Sequence, residues 1–225
     1  MMIPKLYLIR HGQSEWNAQD IFTGWVDVGL TIKGEEEAKS AGKALQKRNI
    51  HFDHVYTSVL QRSIKTAWII LEQMHAMAAP QTALWELNER HYGALQGKNK
   101  SQMRQEVGEE QVKIWRRSYS TRPPESQELQ NVSPYAQGLL KAPSTESLED
   151  TVQRVIQVWE RVLFPQIKSG KTILISAHGN SLRGLLKHLE SISDKEIVEL
   201  EIPTGKPIEI SFDSNYKVSN RVYIN

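Results

Sequence analysis

The 225-residue chain reads as an α/β protein with a mostly parallel central sheet covered by helices. Three observations predict this. Short apolar runs alternate with amphipathic stretches, the pattern of strand–helix–strand units. One run, Lys171-Thr172-Ile173-Leu174-Ile175-Ser176, is almost continuously apolar, as strands buried on both faces are. The length suits one large domain or two small ones and suffices for a core without disulfides or metal staples. We read residues 1–225 as one domain.

The elements follow in order. Leu6 to Ile9 is the first strand. Thr31 caps the next helix, with Glu35 to Glu37 near its start, where the helix dipole favours anions. Phe52 to Tyr56 is a second strand, after which Ser58 caps a helix through Thr66 to Leu71. Beyond Thr145, residues Leu148, Val152, Val155, Ile156, Trp159, Val162 and Leu163 recur in steps of three and four and form one buried stripe. Pro165 and Gly170 are expected to end that helix. The strand at 171–176 comes next, then a helix marked by Leu182, Leu185, Leu186 and Leu189. Pro203 to Asp213 and Val218 to Ile224 read as closing strands or a hairpin. Trp68 and Trp159 stand at core-type helical positions, and His75 and His188 read as surface or boundary residues. Residues 119–144 hold Pro123, Pro124, Pro134 and Pro143 among polar residues and read as a long surface excursion. Loops of this length serve as lids or as solvated padding, and both readings stand here.

Composition narrows the chemistry. Hydrophobic residues make up 39% and charged residues 24%, an ordinary globular balance. The formal net charge of +2 argues against a nucleic-acid or membrane-surface partner, so any cation that matters is placed locally. Cysteine is absent, which removes thiol nucleophiles, thiolate metal sites and disulfides and suits a cytoplasmic protein. Met1 to Lys5 lead into a strand with no signal-peptide core, and no apolar run approaches a membrane span. Ser169-Gly170-Lys171-Thr172 imitates the end of a phosphate-binding loop, but Pro165 stands where that motif needs glycine. His51 and His54 lack a third ligand in pattern, so no metal site is expected.

Two segments share a plan. Leu6-Tyr7-Leu8-Ile9-Arg10-His11-Gly12-Gln13-Ser14 and Thr172-Ile173-Leu174-Ile175-Ser176-Ala177-His178-Gly179-Asn180-Ser181 each run from an apolar strand into His-Gly, then an amide residue and Ser. In an open parallel sheet, ligands bind outside the carboxyl ends of the strands. If the two strands are neighbours, His11 and His178 face each other. One such histidine would be a strand-end residue beside a tight turn; two in the same context point to a shared site. Arg10 and Arg62 lie just after strand ends, and Arg90, Lys100, Arg116 and Arg117 lie mid-chain. Guanidinium groups bind phosphate or carboxylate through paired hydrogen bonds. Neutral imidazole is a nucleophile near pH 7 and can carry a phosphoryl group. Surrounding cations and backbone N–H groups then stabilise the equatorial oxygens. Glu89 is the carboxylate nearest Arg90-His91 and can carry the proton.

These residues resemble a known family. Arg10-His11-Gly12 with Ser14, Trp16 and Asn17 resembles the signature of the histidine phosphatase superfamily. Thr23-Gly24-Trp25, Tyr56-Thr57-Ser58 with Leu60 and Arg62, and Leu87 to Gly93 resemble its phosphoglycerate mutase branch. So do Leu95-Gln96-Gly97, Lys100, Trp115-Arg116-Arg117, Glu146-Ser147-Leu148 and His178-Gly179-Asn180. The resemblance spans nearly the whole chain in order. It implies a phosphoglycerate mutase-like, three-layer α/β/α sandwich that interconverts 3-phosphoglycerate and 2-phosphoglycerate in glycolysis and gluconeogenesis. His11 would be the phosphorylated nucleophile, Glu89 the proton carrier and His178 the transition-state stabiliser, with Arg10 and Arg62 on the transferred phosphoryl group. Ser14, Asn17, Thr23, Gly24, Arg90, His91, Tyr92, Lys100, Arg116, Arg117, Gly179 and Asn180 would complete the substrate site. The resemblance also implies 2,3-bisphosphoglycerate as phosphoryl primer, no metal, and a homodimer. Many members of the family carry a mobile C-terminal tail beyond the last strand, whereas this sequence stops at Asn225; if that tail closes the site, more hydrolysis relative to mutase turnover is the expectation. The alternative is a histidine-type phosphomonoesterase on the same scaffold, which would not need Lys100, Arg116 and Arg117.

Overall fold

A computed structural model describes residues 4–126 and 142–225. Its six-stranded sheet comprises β1 (Lys5–Arg10), β2 (His54–Thr57), β3 (Gln81–Ala83), β4 (Ile173–Ala177), β5 (Ile208–Phe212) and β6 (Val218–Tyr223), in the order β3-β2-β4-β1-β5-β6. The pairs β2–β3, β2–β4 and β1–β4 are parallel; β1–β5 and β5–β6 are antiparallel. The helices are α1 (Glu15–Ala18), α2 (Ile32–Lys47), α3 (Gln61–Gln73), α4 (Lys100–Val107), α5 (Glu109–Arg117), α6 (Leu148–Val158), α7 (Phe164–Lys168) and α8 (Gly179–Glu190).

Helices cover both faces of the sheet, as expected for a three-layer sandwich. Side chains alternate along a strand, so each central strand feeds two cores. Leu6, Leu8, Ile173 and Ile175 pack on one face with Val155 and Val158 of α6 and Leu182, Leu185 and Leu186 of α8. Tyr7, Ile9, Val55 and Leu174 pack on the other with Ala41 and Leu45 of α2 and Ala67, Ile70 and Leu71 of α3. Each such burial is worth about 1.5–3 kcal/mol, which is why the strands read as continuous apolar runs.

Thr31 caps α2 as expected: its hydroxyl accepts from the Gly34 N–H. Ser58 does not cap α3. The helix starts at Gln61, and the Asp27 carboxylate from a distant loop accepts the Gln61 N–H at 2.7 Å. Pro165 does not end the 148 helix either. A proline there lacks the N–H for the preceding turn and would crowd a carbonyl. A wider π-turn over Trp159–Leu163 accommodates it, and the chain continues through α7, with Gly170 (φ +83°) just beyond its end. Trp159 is buried, but Trp68 is 52% exposed because the α3 stripe runs through Ala67, Ile70 and Leu71 and turns Trp68 outward.

Strand β3 and helices α4 and α5 were not evident in the sequence. Met103 and Val112 of these two helices form a small core with Phe22 and Leu95. This satellite sets the places of Lys100, at the start of α4, and Arg116 and Arg117, at the end of α5. Of the 119–144 excursion, residues 127–141 lie outside the described residues. The described flanks are tied down: Arg122 forms a paired ion bridge with Asp150, and the Thr145 hydroxyl donates to the Pro123 carbonyl. Among the described residues, no helix is long and apolar enough to cross a membrane.

Candidate active site

Strands β1 and β4 are direct parallel neighbours, with Arg10 opposite Ala177. The next residue on each strand is histidine, so this register brings His11 and His178 together at the sheet's carboxyl edge. Their ring centroids are 4.9 Å apart and their planes meet at 62°. The Gly12 turn admits no side chain: a Cβ there would stand 2.1 Å from the Gly34 carbonyl oxygen, so glycine lets the start of α2 close against the loop.

Both imidazoles are buried. Burial first, then the fields of Arg62 and Arg10, hold the His11 pKa well below its ordinary value. Burial, Arg62, His11 and Arg10 do the same to His178. His11 Nδ1 lies 2.7 Å from the Gly12 carbonyl oxygen. A carbonyl only accepts, so Nδ1 carries the proton and the lone pair is on Nε2. His178 Nε2 shares a 2.7 Å hydrogen bond with Ser58 Oγ, which also accepts the Leu60 N–H. The site therefore offers a neutral, oriented nucleophile beside a second imidazole.

Arg62 lies in the first turn of α3 and is buried, with Nη1 donating to the Val26 carbonyl and Nη2 to the Gly24 carbonyl. Burial pushes its pKa down to about 10, which leaves it cationic at neutral pH. Arg10 Nη1 donates to the Ile202 carbonyl at 2.9 Å. Among the described residues, Arg10 Nε, Arg62 Nε, Thr23 Oγ1 and His178 Nδ1 are buried without a hydrogen-bond partner, as are atoms of Asn88, Arg90 and Arg183. Buried polar atoms are normally satisfied, so the unused donors of Arg10 and Arg62, whose charges act on both histidines, fit an oxyanion.

Glu89 accepts from the Arg90 and Asn180 N–H groups through Oε1, at 2.8 and 3.1 Å. Its Oε2 lies on the Gly179 side, as does the Arg10 guanidinium; a Cβ on Gly179 would stand 3.7 and 3.6 Å from them. A buried platform holds this carboxylate. Arg154 donates to the backbone carbonyls of Glu86, Asn88 and Glu89 and bridges both oxygens of Glu146. Glu146 in turn accepts the His91 N–H, and the Trp25 indole donates to the Glu89 carbonyl.

A cavity of about 320 Å³ opens beside Arg10 and Glu89. Asn17, Thr23, Tyr92, Lys100, Arg116 and Arg117 line it, together with Gly179, Asn180, Arg183 and Glu201. Burial lowers the pKa of Lys100 and of Arg116. Burial would raise that of Tyr92, but the charge of Arg90, whose guanidinium stands 4.5 Å over the ring, together with hydrogen bonds from Arg90 and Asn180, makes the net shift downward. His11, His178 and Arg62 are too deep to line this cavity. Arg10 links the two regions, since it lines the cavity and acts electrostatically on both imidazoles.

The histidine phosphatase superfamily (branch 1) profile matches residues 6–225. The chain belongs to the histidine phosphatase superfamily. Its fold is similar to that of the α-ribazole phosphatase of Shigella flexneri, at 23% identity and a TM-score of 0.74, covering 98% of this chain and 96% of that one. It is similar to a mycobacterial glucosyl-3-phosphoglycerate phosphatase, at 21% identity and TM-score 0.74, covering 99% and 98%. It is similar also to a phosphoglycerate mutase of Bacillus anthracis, at 22% identity and TM-score 0.72, covering 97% and 91%.

Within this superfamily member, four further sequence-derived candidates stand away from the cavity wall. Ser14 caps α1: its hydroxyl accepts the Asn17 N–H, and Asn17 returns a bond to the Ser14 N–H. The Gly24 carbonyl is bound to Arg62. Arg90 is buried, donating to the Arg116 carbonyl. His91 packs its ring on Trp25 and accepts the Gly93 N–H at Nδ1. Sequence reasoning missed Ser58 as a partner of His178, and also Arg154, Arg183 and Glu201. Arg183 left a signal, an arginine between Leu182 and Leu185 on an otherwise apolar stripe. It is buried, donates to Asn180 Oδ1 and to the Ile197 carbonyl, and burial pushes its pKa down to about 10.

Proposed function

We propose that this protein moves phosphoryl groups through a phosphohistidine at His11, on small phosphate monoesters that carry a second acidic group, with phosphoglycerates as substrates. One observation carries the reading: Lys100, Arg116, Arg117 and Tyr92 line the same cavity as Arg10 and Glu89. A simple monoester needs cations around one phosphate only. Cations spread over a further wall suit a ligand with a second anionic group, held in either of two orientations.

The chemistry follows from the geometry. The His11 Nε2 lone pair attacks phosphorus, and the ester P–O bond breaks. The departing oxygen takes a proton from the Glu89 carboxyl group. Arg10, Arg62 and His178 stabilise the charge on the equatorial oxygens. In the reverse half, the Glu89 carboxylate removes a proton from the acceptor hydroxyl, whose oxygen takes the phosphoryl group from Nε2. With a phosphoglycerate as acceptor, the product is 2,3-bisphosphoglycerate. Its reorientation before the other phosphate returns to His11 completes a mutase cycle, and the same compound would prime the enzyme. The polar lining and the unpartnered donors fit such an anion.

Hydrolysis is the second reading, and the comparisons favour it over the mutase: two of the three solved structures named above are phosphatases. The two readings share every step up to the phosphoenzyme and differ only in whether water or a second phosphoglycerate accepts. The test is one assay on purified protein. 3-Phosphoglycerate turnover coupled to enolase is followed with and without 2,3-bisphosphoglycerate, while released inorganic phosphate is measured in parallel. Primer-dependent turnover that outruns phosphate release supports the mutase; phosphate release without isomerisation supports the phosphatase. Pre-treating the protein with EDTA, and removing the chelator before enolase and its Mg2+ are added, is expected to leave either rate unchanged. Inactivity on phosphoglycerates alongside brisk hydrolysis of esters lacking a second acid overturns the substrate class.

A further inference from the structure

A carboxylate stands in the wall of this anion cavity. Glu201, in the segment between α8 and β5, lines the cavity together with Arg117. Arg117 Nη2 donates to Glu201 Oε1 in an ion pair. That pairing, with the fields of Arg10 and Arg116, holds the Glu201 carboxyl below the usual range, so it is charged at neutral pH. A second cavity of about 310 Å³ has Arg104, Lys113, Val198 and Glu199 in its lining and shares Arg116, Arg117 and Glu201 with the first. The Arg117–Glu201 pair thus belongs to the partition between the two spaces.

A ligand anion that approaches Arg117 meets a cation already occupied and a fixed negative charge beside it. We propose that Glu201 is a specificity-determining residue, a largely exposed carboxylate of the cavity lining that competes for Arg117 and disfavours ligands with a second phosphate relative to those with a carboxylate or hydroxyl there. The inference rests on the phosphoglycerate reading above. It assigns 2,3-bisphosphoglycerate a weaker hold than the cation count alone implies and so shifts the balance between retaining the bisphosphate and releasing it. Lys100 differs: among the described residues its ion-pair partner is Asp20 at 3.4 Å, which does not line the cavity.

Calorimetric titration of the intact protein tests this, with 2,3-bisphosphoglycerate, 3-phosphoglycerate and inorganic phosphate as ligands. Glu201→Gln is expected to tighten bisphosphate binding roughly 2- to 5-fold, the scale of an exposed ion pair, and 3-phosphoglycerate less. Inorganic phosphate is expected to change by less than twofold. The gain should shrink in high salt. Glu199→Gln makes the same charge change but lines only the second cavity, and it is expected to leave bisphosphate affinity within twofold. Equal effects of the two variants would reduce the role of Glu201 to general field and overturn the proposal, as would weaker binding by Glu201→Gln. Should Glu201→Gln misfold, Glu201→Ala answers the same question. If the wild-type protein binds phosphate but neither phosphoglycerate, the substrate reading itself fails and this inference with it. If it binds both and Glu201→Gln gains nothing, only the inference fails.

Discussion

Replacing Arg154 with methionine should be among the most damaging single changes in this protein, although Arg154 does not line the cavity. Its guanidinium makes five hydrogen bonds, three to the carbonyls of Glu86, Asn88 and Glu89 and two to Glu146, at 2.6–2.9 Å. Both side chains of the ion pair are nearly inaccessible, at 7% and 6% exposure. Arg154→Met strands a buried carboxylate and three carbonyls. Breaking one side of a buried pair costs about 3–5 kcal/mol, and each unsatisfied group adds to the upper end. At about 2–4 °C per kcal/mol for a chain of this size, the melting temperature should fall by about 6–20 °C. Removing the partner as well, in Arg154→Met with Glu146→Leu, deletes the stranded charge and should recover part of that loss. Activity should not recover, because the Glu89 backbone has still lost its donors and the carboxylate its aim. The assay is a thermal melt of wild type, both single variants and the double, with phosphoryl-transfer rates measured below every melting point. A drop under about 3 °C for Arg154→Met, or a double variant no more stable than the single, would refute the platform.

Three other outcomes are expected. His91 has its pKa lowered to about 4, with burial the main cause, and His11 and His178 are also depressed. Each binds protons more readily when unfolded, so the stability they add is full above about pH 6.5 and is lost as pH falls toward the folded values. His91 alone accounts for about 2–3 kcal/mol between pH 7.5 and 4.5, so unfolding free energies from urea melts at those two pH values should differ by about that much; equal midpoints would contradict it. Asp27→Ala removes the cap of α3 and should cost about 0.5–2 kcal/mol by denaturant melting, whereas an unchanged midpoint would show that Gln61 needs no acceptor. His11→Ala should abolish acid-labile, base-stable incorporation of phosphate from labelled substrate, while His178→Ala should slow it without abolishing it; labelling of His11→Ala at the wild-type level would move the nucleophile elsewhere.

Legibility followed the range of the interaction. Thr31 was readable as a cap because its acceptor and donor lie three residues apart. The α3 cap was not, because Asp27 precedes Gln61 by 34 residues. Proline at 165 gave a correct local warning, but the π-turn before it relieves the clash. Arg154 looks like any polar residue between Val152 and Val155 until Glu146 and three distant carbonyls surround it. Nothing local marks Glu201, whose partner lies 84 residues away.

By itself, the sequence determined the alternation of strands and helices, the two His-Gly strand ends and the supply of basic residues, since each is a matter of neighbours along the chain. The tertiary structure decided that β4 inserts between β2 and β1, in the register that seats His178 beside His11. It also decided which cations line the cavity, which ones brace it and which one is already paired. Strand order and register come from burying two apolar faces at once, a property of the assembled sheet, and so a segment can specify its own strand without specifying the strand it pairs with.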